Sequence, residues 1–242
     1  MGRRDKKQPR RPKGHKDQQQ QQHQSQPFRS RLKPKTQNQS ELIRTIAENS
    51  VTVVLGPAGT GKTKCSVAYG VEKLLFGDFK RMVVTRPVVE AGEKLGYLPG
   101  SFSEKIDPYL QPIYYELLQY LSKSQLQEFI NNGANCRGEN EIIIAPLAYM
   151  RGMNYHDAYM ILDEAQNCTV EQIKLFITRV GFNSKAVLVG DDKQSDLPFG
   201  KSGLSYWHEK LQGIDDVGTF KLSNVDIIRN PVISRILSKI GE

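Results

Sequence analysis

From residue 56 to residue 63 the chain reads Gly-Pro-Ala-Gly-Thr-Gly-Lys-Thr, which has the spacing G-x-x-x-x-G-K-[ST]. Glycines at these positions let successive backbone amides turn inward. The start of a following helix adds its own unpaired N–H groups, so the segment suits a concave anion site. Lys62 brings a point charge within reach of β- and γ-phosphates. The Thr63 hydroxyl suits Mg2+, a hard cation that favours oxygen. Gly56, Pro57, Ala58, Gly59, Thr60, Gly61, Lys62 and Thr63 are therefore expected to wall a nucleotide site, with ATP and Mg2+ as its ligands.

Such a site needs an acidic anchor at the end of a nearby strand. Tyr159-Met-Ile-Leu162 is an apolar run that emerges into Asp163 and Glu164. Asp163 would hold the metal, directly or through water, and Glu164 would orient and deprotonate an attacking water. The plainer reading of this pair is a cap for a helix starting near Thr169. A third segment, Gly190-Asp-Asp-Lys-Gln194, follows another apolar run. The Gln194 amide could bond both a γ-phosphate and the lytic water, although a simple Gly/Asp turn has the same composition. Gln39 has one donor and one acceptor to offer an adenine edge, and a polar helix lead-in is its bland alternative.

The elements that must position these groups are legible as periodicities. Val51–Leu55, Met82–Thr85, Glu141–Ala145, Tyr159–Leu162, Ala186–Val189 and Val217–Leu222 read as strands. Between them, helices are expected over Glu41–Glu48 (capped by Ser40), Lys62–Phe76, Tyr109–Leu121, Gln125–Ile130, Val170–Val180 and Gly203–Leu211. A last helix would begin at Pro231. Short buried strands alternating with helices imply an α/β fold with a parallel sheet covered on both faces.

Charge separates the chain into two parts. Residues 1–40 hold twelve Lys or Arg against two Asp, while the rest holds 22 basic against 24 acidic residues. The net +8 is thus carried by the tail. Gln-rich and nearly without apolar residues, residues 1–38 cannot bury enough surface to order themselves, and residues 39–242 form the expected domain. Clustered Lys and Arg in such an arm also suit nucleic-acid phosphates. No apolar run reaches the length of a membrane span. Cys65, Cys136 and Cys168 lack metal or disulfide spacing, as expected for reduced thiols of a cytoplasmic protein.

Taken together, the segments resemble the PhoH-like ATPases, a family with a RecA-type core related to superfamily 1 helicases. The resemblance runs from about Lys35 to the C-terminus. Besides the segments above it includes Thr85-Arg86-Pro87, Glu93–Gly100, Lys105–Leu110, Arg151-Gly152, Ile161–Asn167, Lys201–Leu204 and Asp226–Asn230, with Asn230 where the family usually has His. It implies a three-layer αβα P-loop NTPase fold with a mostly parallel sheet, and ATP hydrolysis. RNA is the favoured polymer over DNA, and a ring-like homo-oligomer such as a hexamer is the expected assembly. Some relatives carry an N-terminal PIN nuclease domain, which the basic, Gln-rich stretch of residues 1–40 is not expected to hold.

An arginine near the γ-phosphate is usually needed for phosphoryl transfer. Arg229 matches the family's C-terminal motif, and with one core in the chain it is expected to act in trans on a neighbouring subunit's nucleotide. Arg86 follows a strand and has several candidate partners: polymer phosphate, a neighbouring subunit, the γ-phosphate or a structural ion pair. The alternative function is an ATP/ADP-controlled protein-interaction switch. Small-molecule kinase chemistry is less suited, since Glu164 beside Asp163 fits the activation of water.

Overall fold

The structure is a computed structural model that describes residues 2, 32–87, 102–134, 140–198, 202–228, 232 and 239, with 102–107 and 133–134 described in the backbone only. Six strands form the central sheet: β1 (Val51–Leu55), β2 (Arg81–Arg86), β3 (Glu141–Pro146), β4 (Ala158–Leu162), β5 (Lys185–Gly190) and β6 (Val217–Lys221). Their order is β3-β2-β4-β5-β1-β6, and all neighbouring pairs run parallel. The four inner strands, β1, β2, β4 and β5, are buried on both faces, as a parallel sheet between helices requires, and the edge strands β3 and β6 are partly open.

Alternation within the strands feeds two cores. Val54, Met82, Val84, Ile142, Tyr159, Ile161, Val187 and Val189 face one side. They pack there against α1 (Gln37–Glu48), α2 (Lys62–Phe76), α3 (Phe102–Leu117) and α4 (Lys123–Ala134). Val53, Leu55, Val83, Met160, Leu162, Ala186 and Leu188 face the other side. Their partners are a 3₁₀ turn at Leu147–Met150, α5 (Val170–Ile177) and α6 (Leu204–Lys210). The result is the expected α/β sandwich of three layers. Each fully buried aliphatic side chain contributes roughly 1.5–3 kcal/mol relative to exposure, so both helical layers are needed.

Local chemistry moves several boundaries. The first helix starts at Gln37 rather than Glu41, because Thr36 and not Ser40 caps it. The Thr36 hydroxyl accepts from the Gln39 N–H at 3.1 Å. The third helix starts at Phe102 rather than Tyr109 and ends at Leu117, running through Pro108 and Pro112. Proline ordinarily ends a helix, but these two are four residues apart and so share one face, which is exposed. The fifth helix stops at Ile177, with Thr169 and Gln172 closing a capping box at its start. The helix expected from Pro231 lies outside the described residues, apart from Val232 and Lys239.

Candidate functional site

Strand order decides where the chemistry gathers. β5 lies between β1 and β4, so its C-terminal tip separates the phosphate-type loop after β1 from the carboxylates after β4. The tips are tied together by the backbone. Gly56 N–H donates to Gly190 O at 3.2 Å, and Asp163 N–H donates to Thr85 O at 2.9 Å.

In the 56–63 loop, Gly61 has a left-handed backbone with φ of 84° and stands directly before α2. A Cβ there would lie 2.8 Å from Gln39 Nε2, so both conformation and space call for glycine. Lys62, the first helical residue, folds its ammonium over the loop's own carbonyls, donating to Gly56 O at 2.5 Å and Pro57 O at 2.9 Å. Burial pushes the Lys62 pKa down, opposed by the nearby carboxylates of Asp191, Glu164, Asp163 and Asp192. These hydrogen bonds and charges are what keep a buried ammonium tolerable.

Thr63 and Asp163, a hundred residues apart, touch. The Thr63 hydroxyl donates to Asp163 Oδ1 at 2.7 Å, and Asp163 is 2 % exposed. The other Asp163 oxygen is held by Arg86, whose Nε donates at 2.8 Å and whose Nη2 lies at 2.6 Å. Arg86 also reaches Glu164 Oε1 at 3.3 Å and the Tyr109 carbonyl at 3.4 Å. Of the partners open to Arg86 in the sequence, the ion pair is the one present among the described residues. Glu164 has a left-handed backbone with φ of 55°, which costs a non-glycine residue free energy and is common where a side chain must be aimed.

The β5 tip completes the enclosure. Asp191 is 6 % exposed, and its Oδ2 accepts from the Ala58 N–H at 3.1 Å. Gln194 stands at the rim of a cavity of about 300 Å³, shared with Ala58, Lys62, Thr63, Asp163 and Glu164. The capping role considered for Asp163 and Glu164 is taken by Thr169.

A second cavity, of about 340 Å³, opens beside the loop against α2 and is lined by Gln39, Cys65, Tyr120 and Ile228 among others. Gln39 is buried and its amide holds the backbone on two sides. Its Oε1 accepts from Lys35 N–H at 2.8 Å, and its Nε2 donates to Thr60 O at 2.9 Å. Cys65 and Cys168 are free and buried. Burial raises their thiol pKa values to about 11 and about 12, so both are protonated near neutral pH.

Three further residues join the site, two of them, Gln166 and Asp226, inside segments of the family resemblance but with no role assigned from the sequence. Gln166 donates to Glu164 Oε2 at 2.6 Å. Glu116, on α3, lines the same cavity as Glu164, and burial raises its carboxyl pKa, with Asp163 acting in the same direction against Lys64. Asp226 is 1 % exposed and gathers Thr36 Oγ1 at 2.9 Å, Asn38 Nδ2 at 3.0 Å and Ser223 N–H at 3.0 Å. It thereby ties the start of α1 to the segment after β6. That segment returns to the loop, where Ile228 N–H donates to Gly59 O at 3.0 Å. Arg229 itself lies outside the described residues, as do Cys136 and the 93–100 motif.

The oxygen pair of Thr63 and Asp163 fits a divalent cation that takes its remaining ligands from phosphate and water, as Mg2+ does. Among the described residues no group of three or more His, Cys, Asp or Glu could hold a metal by itself. Likewise, none of their helices is long and apolar enough to cross a membrane.

Residues 31–240 match the family model described as PhoH-like protein. A PhoH-like protein of Bacillus subtilis is 45% identical over 207 residues, covering 85% of this chain and 63% of that protein. Protein PhoH of Escherichia coli K12 is 39% identical over 203 residues, covering 83% of this chain and 56% of that one. The chain therefore spans about three-fifths of the length of these relatives. Among solved structures, the large terminase of a thermophilic bacteriophage superposes with a TM-score of 0.49 at 11% identity, over 85% of this chain and 50% of that chain. On the family match and the identities to the two PhoH proteins, the chain belongs to the PhoH-like protein family.

Proposed function

We propose that this chain is a Mg2+-dependent ATPase that couples hydrolysis to RNA as a homo-oligomer. The observation that carries the ATPase reading is the direct Thr63–Asp163 contact at 2.7 Å, with Glu164 and the β5 tip around the same cavity. The backbone N–H groups from Ala58 to Gly61 would supply donors to the phosphates, and Lys62 would turn from the loop carbonyls to the β- and γ-oxygens. Thr63 and Asp163 would hold Mg2+, which supplies charge neutralisation of the phosphates when bound. Arg86 occupies Asp163 Oδ2, so the cation would take Oδ1, the oxygen that now meets Thr63. Glu164 is the general base and Gln194 the group that meets the γ-phosphate. The neighbouring cavity beside Gln39 is the place for the base, with ATP the expected nucleotide.

RNA coupling is supported by the helicase-type motif set and by the arm, whose twelve Lys or Arg face only two Asp in residues 1–40. The body, at 22 basic against 24 acidic residues, has no such excess. If about six phosphates are neutralised, affinity for single-stranded RNA falls roughly 10²–10³-fold between about 50 and 200 mM salt. ATP turnover should rise with RNA at low salt and lose that stimulation as salt increases. The check is steady-state phosphate release with RNA, with single-stranded DNA and with neither, across that salt range. Turnover indifferent to both polymers would remove the coupling and leave the ATPase intact. Greater stimulation by DNA would reverse the polymer preference.

A further inference from the structure

A continuous line of hydrogen bonds joins the phosphate-type loop to the general base. Ala58 N–H, in the loop, donates to Asp191 Oδ2 at 3.1 Å. Asp191 N–H donates to Gln166 Oε1 at 3.1 Å. The other end of the same amide, Gln166 Nε2, donates to Glu164 Oε2 at 2.6 Å. The line crosses the tips of β1, β5 and β4 in their spatial order.

Gln166 sits at its centre and is built in. It is 4 % exposed, and a Cβ on Gly190 would lie 2.5 Å from its Oε1. The strand therefore ends in a residue without a side chain at the point where this amide passes. Beyond it the two turns are stitched together. Ser195 Oγ donates to Gln166 O at 2.9 Å, Asn167 Nδ2 donates to Asp196 Oδ2 at 2.7 Å, and Asp196 N–H donates back to Asn167 Oδ1 at 2.8 Å. The turn carrying Glu164 and the turn carrying Gln194 behave as one piece.

We propose that Gln166 is the positioning residue that aims Glu164 and makes its aim depend on the state of the phosphate-type loop. The Ala58 amide is one of the donors a phosphate would use, and Asp191 holds it instead. Loss of that bond, together with repulsion between phosphate and the Asp191 carboxylate, frees the β5 tip to shift. A shift of the Asp191 amide pulls on Gln166, whose rigid planar amide transmits it to Glu164 Oε2. The general base is then oriented by occupancy of the loop rather than held permanently ready. A glutamine is suited to this task because it carries an acceptor for Asp191 and a donor for Glu164 on one buried group, and breaking either end leaves a buried polar atom unpaired.

The inference rests on the ATPase reading, and one set of variants separates the two. Gln166→Met keeps the shape and removes both bonds. It should lower kcat about 10–100-fold at nearly unchanged ATP KM and Mg-ATP affinity, the pattern of a lost transition-state alignment. Gln166→Glu keeps the acceptor for Asp191 but replaces the donor to Glu164 with a repelling carboxylate, so its kcat should fall at least as far, again at nearly unchanged ATP KM and Mg-ATP affinity. A purely structural glutamine would lower the melting temperature and the fraction of protein that binds Mg-ATP without lowering kcat per Mg-ATP-binding site. Wild-type kcat per binding site in a folded Gln166→Met or Gln166→Glu overturns the positioning role while the ATPase reading stands. A wild type without turnover overturns the reading and the positioning role with it.

Discussion

Glu164→Gln should bind Mg-ATP as tightly as the wild type while its turnover falls about 10²–10⁴-fold, the range a positioned general base supplies. The substitution is nearly isosteric and removes the basic oxygen pair, leaving one carbonyl oxygen that can accept from Arg86 or from Gln166 but not from both. Both Glu164 oxygens have partners, Arg86 at 3.3 Å and Gln166 at 2.6 Å, so a change at either partner re-aims the side chain. It is also 46 % exposed, so water can reach it, as hydrolysis by an activated water requires. The checks are phosphate release under saturating ATP and, separately, the dissociation constant of a fluorescent ATP analogue. A turnover within about threefold of wild type would assign the base to another group, with Glu116 in the same cavity the next to test.

Arg229→Ala is expected to have the larger effect, about 10³–10⁵-fold on turnover, the value of an arginine that meets the transition-state charge. The residue lies outside the described residues, but the segment leading to it is anchored. Asp226 fixes the turn after β6 to α1, and Ile228 bonds the loop at Gly59. One side of that segment also presents Val225 and Ile228, which are 82 % and 40 % exposed. If Arg229 serves the neighbouring subunit's nucleotide, mixing Arg229→Ala with Lys62→Ala should restore part of the activity that each lacks alone. Interfaces pairing an intact loop with an intact arginine arise only in the mixture. Failure to recover in oligomers shown to be mixed would place Arg229 in cis or outside the reaction.

What could be read from the sequence divides along a physical line. The 56–63 loop was legible because all its parts are consecutive, and β1 and α2 on either side were legible to the residue because their periodicities are uninterrupted. The other strands were located within a residue or two by their β-branched cores. Asp163 could be paired with Thr63 because a strand end and a loop end obey a simple spatial rule. Arg86 was visible as a residue but not as a partner. Its bond to Asp163 spans 77 positions, and nothing local chooses it over solvent or phosphate. Asp226 joins Thr36 across 190 positions and has no periodicity to mark it. Gln166 follows Glu164 by two residues, yet its role depends on a β5 tip that only the sheet order brings beside it. Helix starts slipped where capping competed, at Thr36 against Ser40, and at Phe102, ahead of the periodic run read from Tyr109.

A divalent cation and a triphosphate held between Lys62, Thr63 and Asp163 are the proposed centre of catalysis. The most direct test is phosphate release from ATP by the wild type and by Lys62→Ala, with Mg2+ and with excess chelator. Steady release is expected from the wild type only when Mg2+ is present, at a rate at least about 10²-fold above that of Lys62→Ala, as loss of a charge placed on developing anionic oxygens entails. Release that persists in chelator, or that Lys62→Ala matches at the wild-type rate, would contradict this proposal.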